Sequence, residues 1–141
     1  MIVHVRWTCP TCRRQFGRRN QSHECAPALS VEEYFSTGPP HERPIFDAVM
    51  AHLESVGPVH VEPVSVGIFL KRTRRFAELR PKQKWVALSF SLSRVVQHRL
   101  ITRKVFNYSG RSYHVVNLRS PEDLDDEILG WLTEAYFESR P

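Results

Sequence analysis

Long apolar runs are absent from this 141-residue chain, and no stretch approaches the ~20 residues a bilayer crossing needs. The opening residues Met1 to Trp7 are too polar and too few for a secretory signal. A reducing cytoplasmic setting and no membrane partner are the expectation. Cysteine is scarce: there are three, an odd number that closes no disulfide framework, and all three fall before residue 26. Hydrophobic residues at 41% and charged residues at 25% are ordinary for a globular protein, which excludes long disorder and coiled coil.

Acidic residues are missing where basic ones crowd. Residues 71–111 hold twelve Lys and Arg against Glu78 alone, a local charge of +11, although the whole chain is only +5. Residues 1–25 carry +4 from five arginines against Glu24. The stretches 26–70 and 119–141 each carry −5, and 112–118 carry nothing. Charge is therefore segregated into two basic and two acidic blocks, and their placement in three dimensions decides what the basic ones can do.

The cysteines form a pattern. Cys9 and Cys12 have the two-residue spacing that lets a tight turn present two thiolates to adjacent corners of a tetrahedron, and His23 and Cys25 follow. Cys9, Cys12, His23 and Cys25 are the expected ligands of one structural Zn2+, a closed Cys3His set that leaves no position for an activated water. The single residue between His23 and Cys25 is tighter than usual spacing, so His4 or His41 remains an alternative fourth ligand. A redox role for the pair fits less well, because no strand–helix unit surrounds it. Arg13, Arg14, Arg18 and Arg19 sit within the same segment and favour thiolates. Residues 1–27 are read as a zinc-finger or ribbon-like module, and residues 28–141 as an α+β domain.

Within that second domain, Ser30 and Glu33 make a capping box for a short helix. Residues 44–56 have helical periodicity with Pro44 in the first turn and Gly57 as the stop. Strand patterns follow at 59–62, 67–71, 75–79, 85–92, 101–108 and 112–118, the last two around the hairpin signal Ser109–Gly110. Ser120 and Pro121 are expected to open a closing helix. The predicted architecture is an antiparallel meander of five or six strands packed with two or three helices, whose other face is solvated or covers a ligand.

Several stretches together resemble a bacterial family known as domain of unknown function 5655. They are Ser30–Phe35, Gly57–Pro63, Gly67–Arg72, Phe76–Pro81, Trp85–Phe90, Leu118–Asp126 and Trp131–Tyr136. The resemblance spans roughly residues 30–138 and implies the fold. It also implies that some relatives share the Cys-x-x-Cys…His-x-Cys head and that others follow a nuclease-like domain. It carries no catalytic motif onto this chain.

The residues point to a non-enzymatic module that binds DNA or RNA. Arg72, Arg74 and Arg75 cluster at one strand turn, and Lys82 and Lys84 at the next, beside Trp85. If consecutive turns share one end of the sheet, these join Arg13, Arg14, Arg18 and Arg19 in a phosphate-binding face. Two other functions stay open. One is a pocket for an anionic small molecule lined by Lys71, Trp85, His114 and Arg119. The other is a protein adaptor docking through the finger near Trp7. Basic residues also guard strand edges, and the acidic helices could neutralise the basic turns. No nucleophile–base set, phosphate loop or paired carboxylates support an enzyme.

Overall fold

The computed structural model describes residues 7–10, 15–20 and 30–139. Two short strands, β1 (Trp7–Thr8) and β2 (Gln15–Phe16), pair antiparallel as a ribbon. Helix α1 (Val31–Phe35) opens on the capping box the sequence predicts. The Glu33 amide donates to Ser30 Oγ at 3.0 Å, and the Ser30 amide donates back to Glu33 Oε1 at 3.3 Å. Helix α2 (Glu42–Val56) starts two residues earlier than Pro44 suggests and buries Ile45, Phe46, Val49, Met50 and Leu53 on one face.

Six strands follow: β3 (His60–Val64), β4 (Gly67–Lys71), β5 (Arg75–Pro81), β6 (Val86–Leu92), β7 (Phe106–Tyr108) and β8 (Arg111–Leu118). They form one antiparallel sheet in the order β3-β4-β5-β6-β8-β7. The chain leaves β6, passes beyond the site of β8, and returns as the edge strand β7. The hairpin Ser109–Gly110 takes positive φ at both positions, 54° and 76°, as a tight right-twisting turn requires. Strand β7 is shorter than the predicted 101–108. The Ile101 amide is spent on a turn, donating to His98 O at 3.0 Å, so the ladder starts only at Phe106.

The closing helix α3 (Asp126–Glu138) also begins later than predicted. Pro121–Asp123 form one 3-10 turn whose Ser120 makes no side-chain cap. Asp125 is the cap instead, its Oδ1 accepting from the Ile128 amide at 2.9 Å.

All three helices belong to the α+β architecture that the sequence predicts, and the core lies between α2, α3 and one face of the sheet. Alternation along β6 sends Val86, Leu88, Phe90 and Leu92 into it, matched by Val116 and Leu118 of β8 and by Ile68 and Leu70 of β4. Helix α3 supplies Ile128, Leu132 and Ala135. A register shift at Leu70/Lys71 adds a residue to β5, so Phe76 and Ala77 are both buried, and Phe76 meets the Tyr136 ring edge-on at 5.5 Å. Among the described residues, no helix packs on the opposite face. No helix among the described residues is long and apolar enough to cross a membrane. The expected module boundary near residue 27 lies outside the described residues.

Candidate nucleic-acid interface

Glu62 stands on β3 with its side chain on the face away from the helices, opposite Phe69 and in line with Glu78 and Ser89. Lys71 Nζ lies 2.8 Å from its Oε2, and His60 Nε2 lies 3.0 Å from its Oε1. Both charged side chains are nearly sealed from solvent, at 4% and 10% exposure. The seal is the ribbon. The Gln15 amide donates to Glu62 Oε1 at 3.0 Å, and Lys71 Nζ donates to the Gln15 carbonyl at 2.9 Å. One residue of β2 thus has both backbone polar groups satisfied by a buried ion pair. Burial alone would raise the Glu62 carboxyl. Hydrogen bonds from His60 and Lys71, the Lys71 charge and the Gln15 amide outweigh that and hold it at about 2.

This clasp positions the basic residues. Gly17, just past β2, lies against the β4–β5 turn, where a Cβ on it would sit 3.5 Å from Thr73 Cγ2. Arg18 and Arg19 follow on the exposed surface, and Arg74 is exposed on the turn. Among the described residues, none of the three has an ion-pair partner within 4 Å. Arg75 lies over the Phe69 ring at 4.4 Å and shares the Glu78 carboxylate with Arg80, at 3.5 and 3.3 Å. Two guanidinium groups on one carboxylate leave positive charge on the surface. Arg72 turns toward the helix layer, where it caps the Tyr136 carbonyl at 3.1 Å and covers the Tyr136 ring.

The expected union of both basic turns is not what the sheet makes. In an antiparallel meander successive turns alternate ends, so Lys82 and Lys84 on the β5–β6 turn are a full strand length from Arg74. Both lysines are exposed. The expected neutralisation by acidic helices is partial. On the helix side, Glu134 pairs with Arg94 at 2.8 Å and Glu138 with Arg111 at 3.2 Å.

The predicted anionic pocket also does not form. Lys71 is committed to the clasp. His114 faces the core, because it is paired with Phe90, which is paired with Ala77, which is paired with Leu70. Lys71, next to Leu70, therefore points the other way. His114 stacks on Phe90 at 5.2 Å and accepts the Val96 amide on Nε2 at 3.0 Å. Burial pushes its pKa down against the pull of the Phe90 and Ser112 backbone, which makes it a neutral structural histidine. Trp85 is half-buried, with the exposed Arg119 guanidinium 5.5 Å from its ring, at the end of the sheet away from Lys71.

A cavity of about 300 Å3 lies elsewhere, lined by Tyr34, Thr37, Gly38, Glu42, Ser65 and Pro81 among others. Its buried Glu42 accepts the Tyr34 hydroxyl, and burial raises the carboxyl's pKa. His98, Asp125 and Glu127 bring ligand-type atoms within 4.8 Å of one another. Two of the three residues are already engaged: His98 Nδ1 accepts the Leu100 amide, Nε2 meets Asp125 Oδ2 at 2.7 Å, and Asp125 Oδ1 caps α3. Of the expected zinc ligands, Cys9 is described and buried, packed with Trp7. Cys12, His23 and Cys25, like Arg13 and Arg14, lie outside the described residues.

Phe106 and Tyr113 have no role in the sequence reading, yet with Tyr108 they form a group of exposed aromatics. Phe106 and Tyr108 stack at 6.4 Å, and Phe106 meets its cross-strand partner Tyr113 at 6.2 Å. The signal was available in β8, where Ser112, His114, Val116 and Leu118 alternate inward and leave Tyr113 on the open face.

The fold and this geometry place the chain in a class of small α+β domains with one helix-covered and one open sheet face. A family described as "Domain of unknown function (DUF5655)" matches residues 31–138, and the chain belongs to it. No curated protein and no solved structure matches it.

Proposed function

We propose that this chain is a non-enzymatic nucleic-acid-binding module whose N-terminal ribbon is held by a structural zinc ion. One observation carries the reading. The Glu62–Lys71 clasp seats the ribbon beside the β4–β5 turn, so Arg18 and Arg19 from one basic block adjoin Arg74 from the other. Phosphate contacts of this kind release counterions and give steep salt dependence. The surface is smaller than the sequence suggests, since Lys82 and Lys84 are at the far end and Arg72 is engaged by α3. Zinc on Cys9, Cys12, His23 and Cys25 would fix the ribbon's covalent loop, and the burial of Cys9 beside Trp7 supports a packed module there.

Two measurements test this. Fluorescence anisotropy with labelled DNA and RNA at low salt is expected to show binding that weakens steeply as salt rises, and that weakens on combined Arg18→Ala, Arg19→Ala and Arg74→Ala. Absence of binding to either nucleic acid at low salt removes the reading. Elemental analysis of purified protein is expected to find one zinc per chain; protein without stoichiometric metal removes the zinc part.

A further inference from the structure

The open face of the sheet has a shape of its own. Along the central strand β6 the outward residues are small: Ala87, Ser89 and Ser91. Larger side chains stand beside them: Arg80 and Asn117 flank Ala87, Glu78 and Val115 flank Ser89, and Tyr113 borders Ser91. They close over the strand, so Ala87 and Ser91 are buried, and the Arg111 guanidinium donates to Ser91 Oγ and to its carbonyl at 3.1 and 2.8 Å. The ribbon closes the far side of β4 through Gln15.

One end of this face differs from the other. The pairing of Leu92 with Ser112 and of Lys71 with Arg75 brings the β4–β5 turn, the end of β6 and the β7–β8 hairpin to the same edge of the sheet. That edge collects Arg18, Arg19 and Arg74 on the ribbon side and the aromatic faces of Tyr113, Phe106 and Tyr108 on the other. The aromatics are 39%, 63% and 66% exposed, an unusual concentration of large rings on the last two strands of the sheet. Basic groups and unhidden rings gathered on one edge suit a polyanion that carries stackable rings.

We propose that single-stranded nucleic acid lies across this end of the open face, with phosphates on Arg18, Arg19 and Arg74 and bases stacked on Tyr113 and Phe106. The proposal rests on the nucleic-acid reading above and names its class: a duplex keeps its base faces inside its own stack, whereas a single strand offers them to any flat ring. Sequence preference is weak in such a site, because every base has a π-face.

The test uses the full chain with labelled oligothymidine and a duplex of equal length. The single strand is expected to bind tighter than the duplex. Tyr113→Ala and Phe106→Ala should each weaken single-strand binding roughly five- to hundred-fold, the range of one lost base stack, and Tyr113→Phe should restore it. These residues point to solvent, and unchanged circular dichroism checks that the variants fold. If the aromatic variants bind like the parent while the arginine variant does not, the stacking proposal is overturned and the basic surface stands. If neither nucleic acid binds at low salt, both fall. If Phe106→Ala changes the oligomeric state and leaves affinity untouched, the patch joins two copies of this chain and the proposal is overturned.

Discussion

Glu62 and Lys71 are the most tightly constrained charged pair among the described residues, and neither is legible as a pair from the sequence. Each sits in an ordinary strand pattern; only the register of β3 against β4, with the ribbon over it, makes them partners. Removing Lys71 takes the full positive charge from the buried Glu62 carboxylate and leaves it the His60 ring and the Gln15 amide, so Lys71→Met is expected to cost about 3–5 kcal/mol in urea unfolding. The double variant with Glu62→Gln should recover part of that loss, because no lone charge remains. The pH dependence has a definite sign. The Glu62 carboxyl is held below its ordinary 4.5, at about 2, so its contribution is present above the unfolded value and is lost as pH falls from 4.5 toward 2. Glu42 runs the other way. Burial raises it above 4.5, so its contribution is present at low pH and is lost as pH rises through the folded value. Glu42→Gln keeps an acceptor for the Tyr34 hydroxyl without the charge. It should leave unfolding stability at pH 7 equal or higher, and a drop of more than about 1 kcal/mol would show that the Tyr34 bond requires the carboxylate.

Strands declared themselves where one face is wholly apolar. Val86, Leu88, Phe90 and Leu92 gave β6 from alternation alone, and the capping box gave α1. The misses came where tertiary hydrogen bonds overrode local signals. The Ile101 amide is taken by a turn, and the Ser120–Pro121 start is displaced by Asp125. The bulge that buries Phe76 beside Ala77 has no signature in the sequence. A glycine shows how closely β4 and β5 approach. A Cβ on Gly67 would sit 2.3 Å from the Leu79 carbonyl oxygen, a backbone atom that can yield only by moving the strand. Gly67→Ala is therefore expected to destabilise by about 1–3 kcal/mol, the usual range for overpacking. Guanidinium unfolding measures it, and a neutral result would mean that the β3–β4 hairpin slides freely on β5.

Charge is where the folded molecule departs furthest from its sequence. The +11 block spreads over two sheet ends, a buried clasp and two ion pairs with α3, so no single face of the molecule presents the whole of it. The chemistry of the candidate site was half legible: the arginines could be named, but which of them adjoin depended on alternation of turns and on where the ribbon docks. That placement gives a discriminating experiment. The double variants Arg18→Ala/Arg19→Ala and Lys82→Ala/Lys84→Ala each lower the net charge of +5 by the same amount, yet their sites are at opposite ends of the sheet. If binding responded to total charge, both would flatten the dependence of log affinity on log salt equally. With phosphates seated at the ribbon end, the arginine variant should reduce the slope for a single strand by about 0.7 per lost contact, roughly 1.4 in all. The lysine variant should keep the parent slope within error. Equal slopes for the two variants would return the basic surface to non-specific attraction and leave the docked ribbon with a purely structural role.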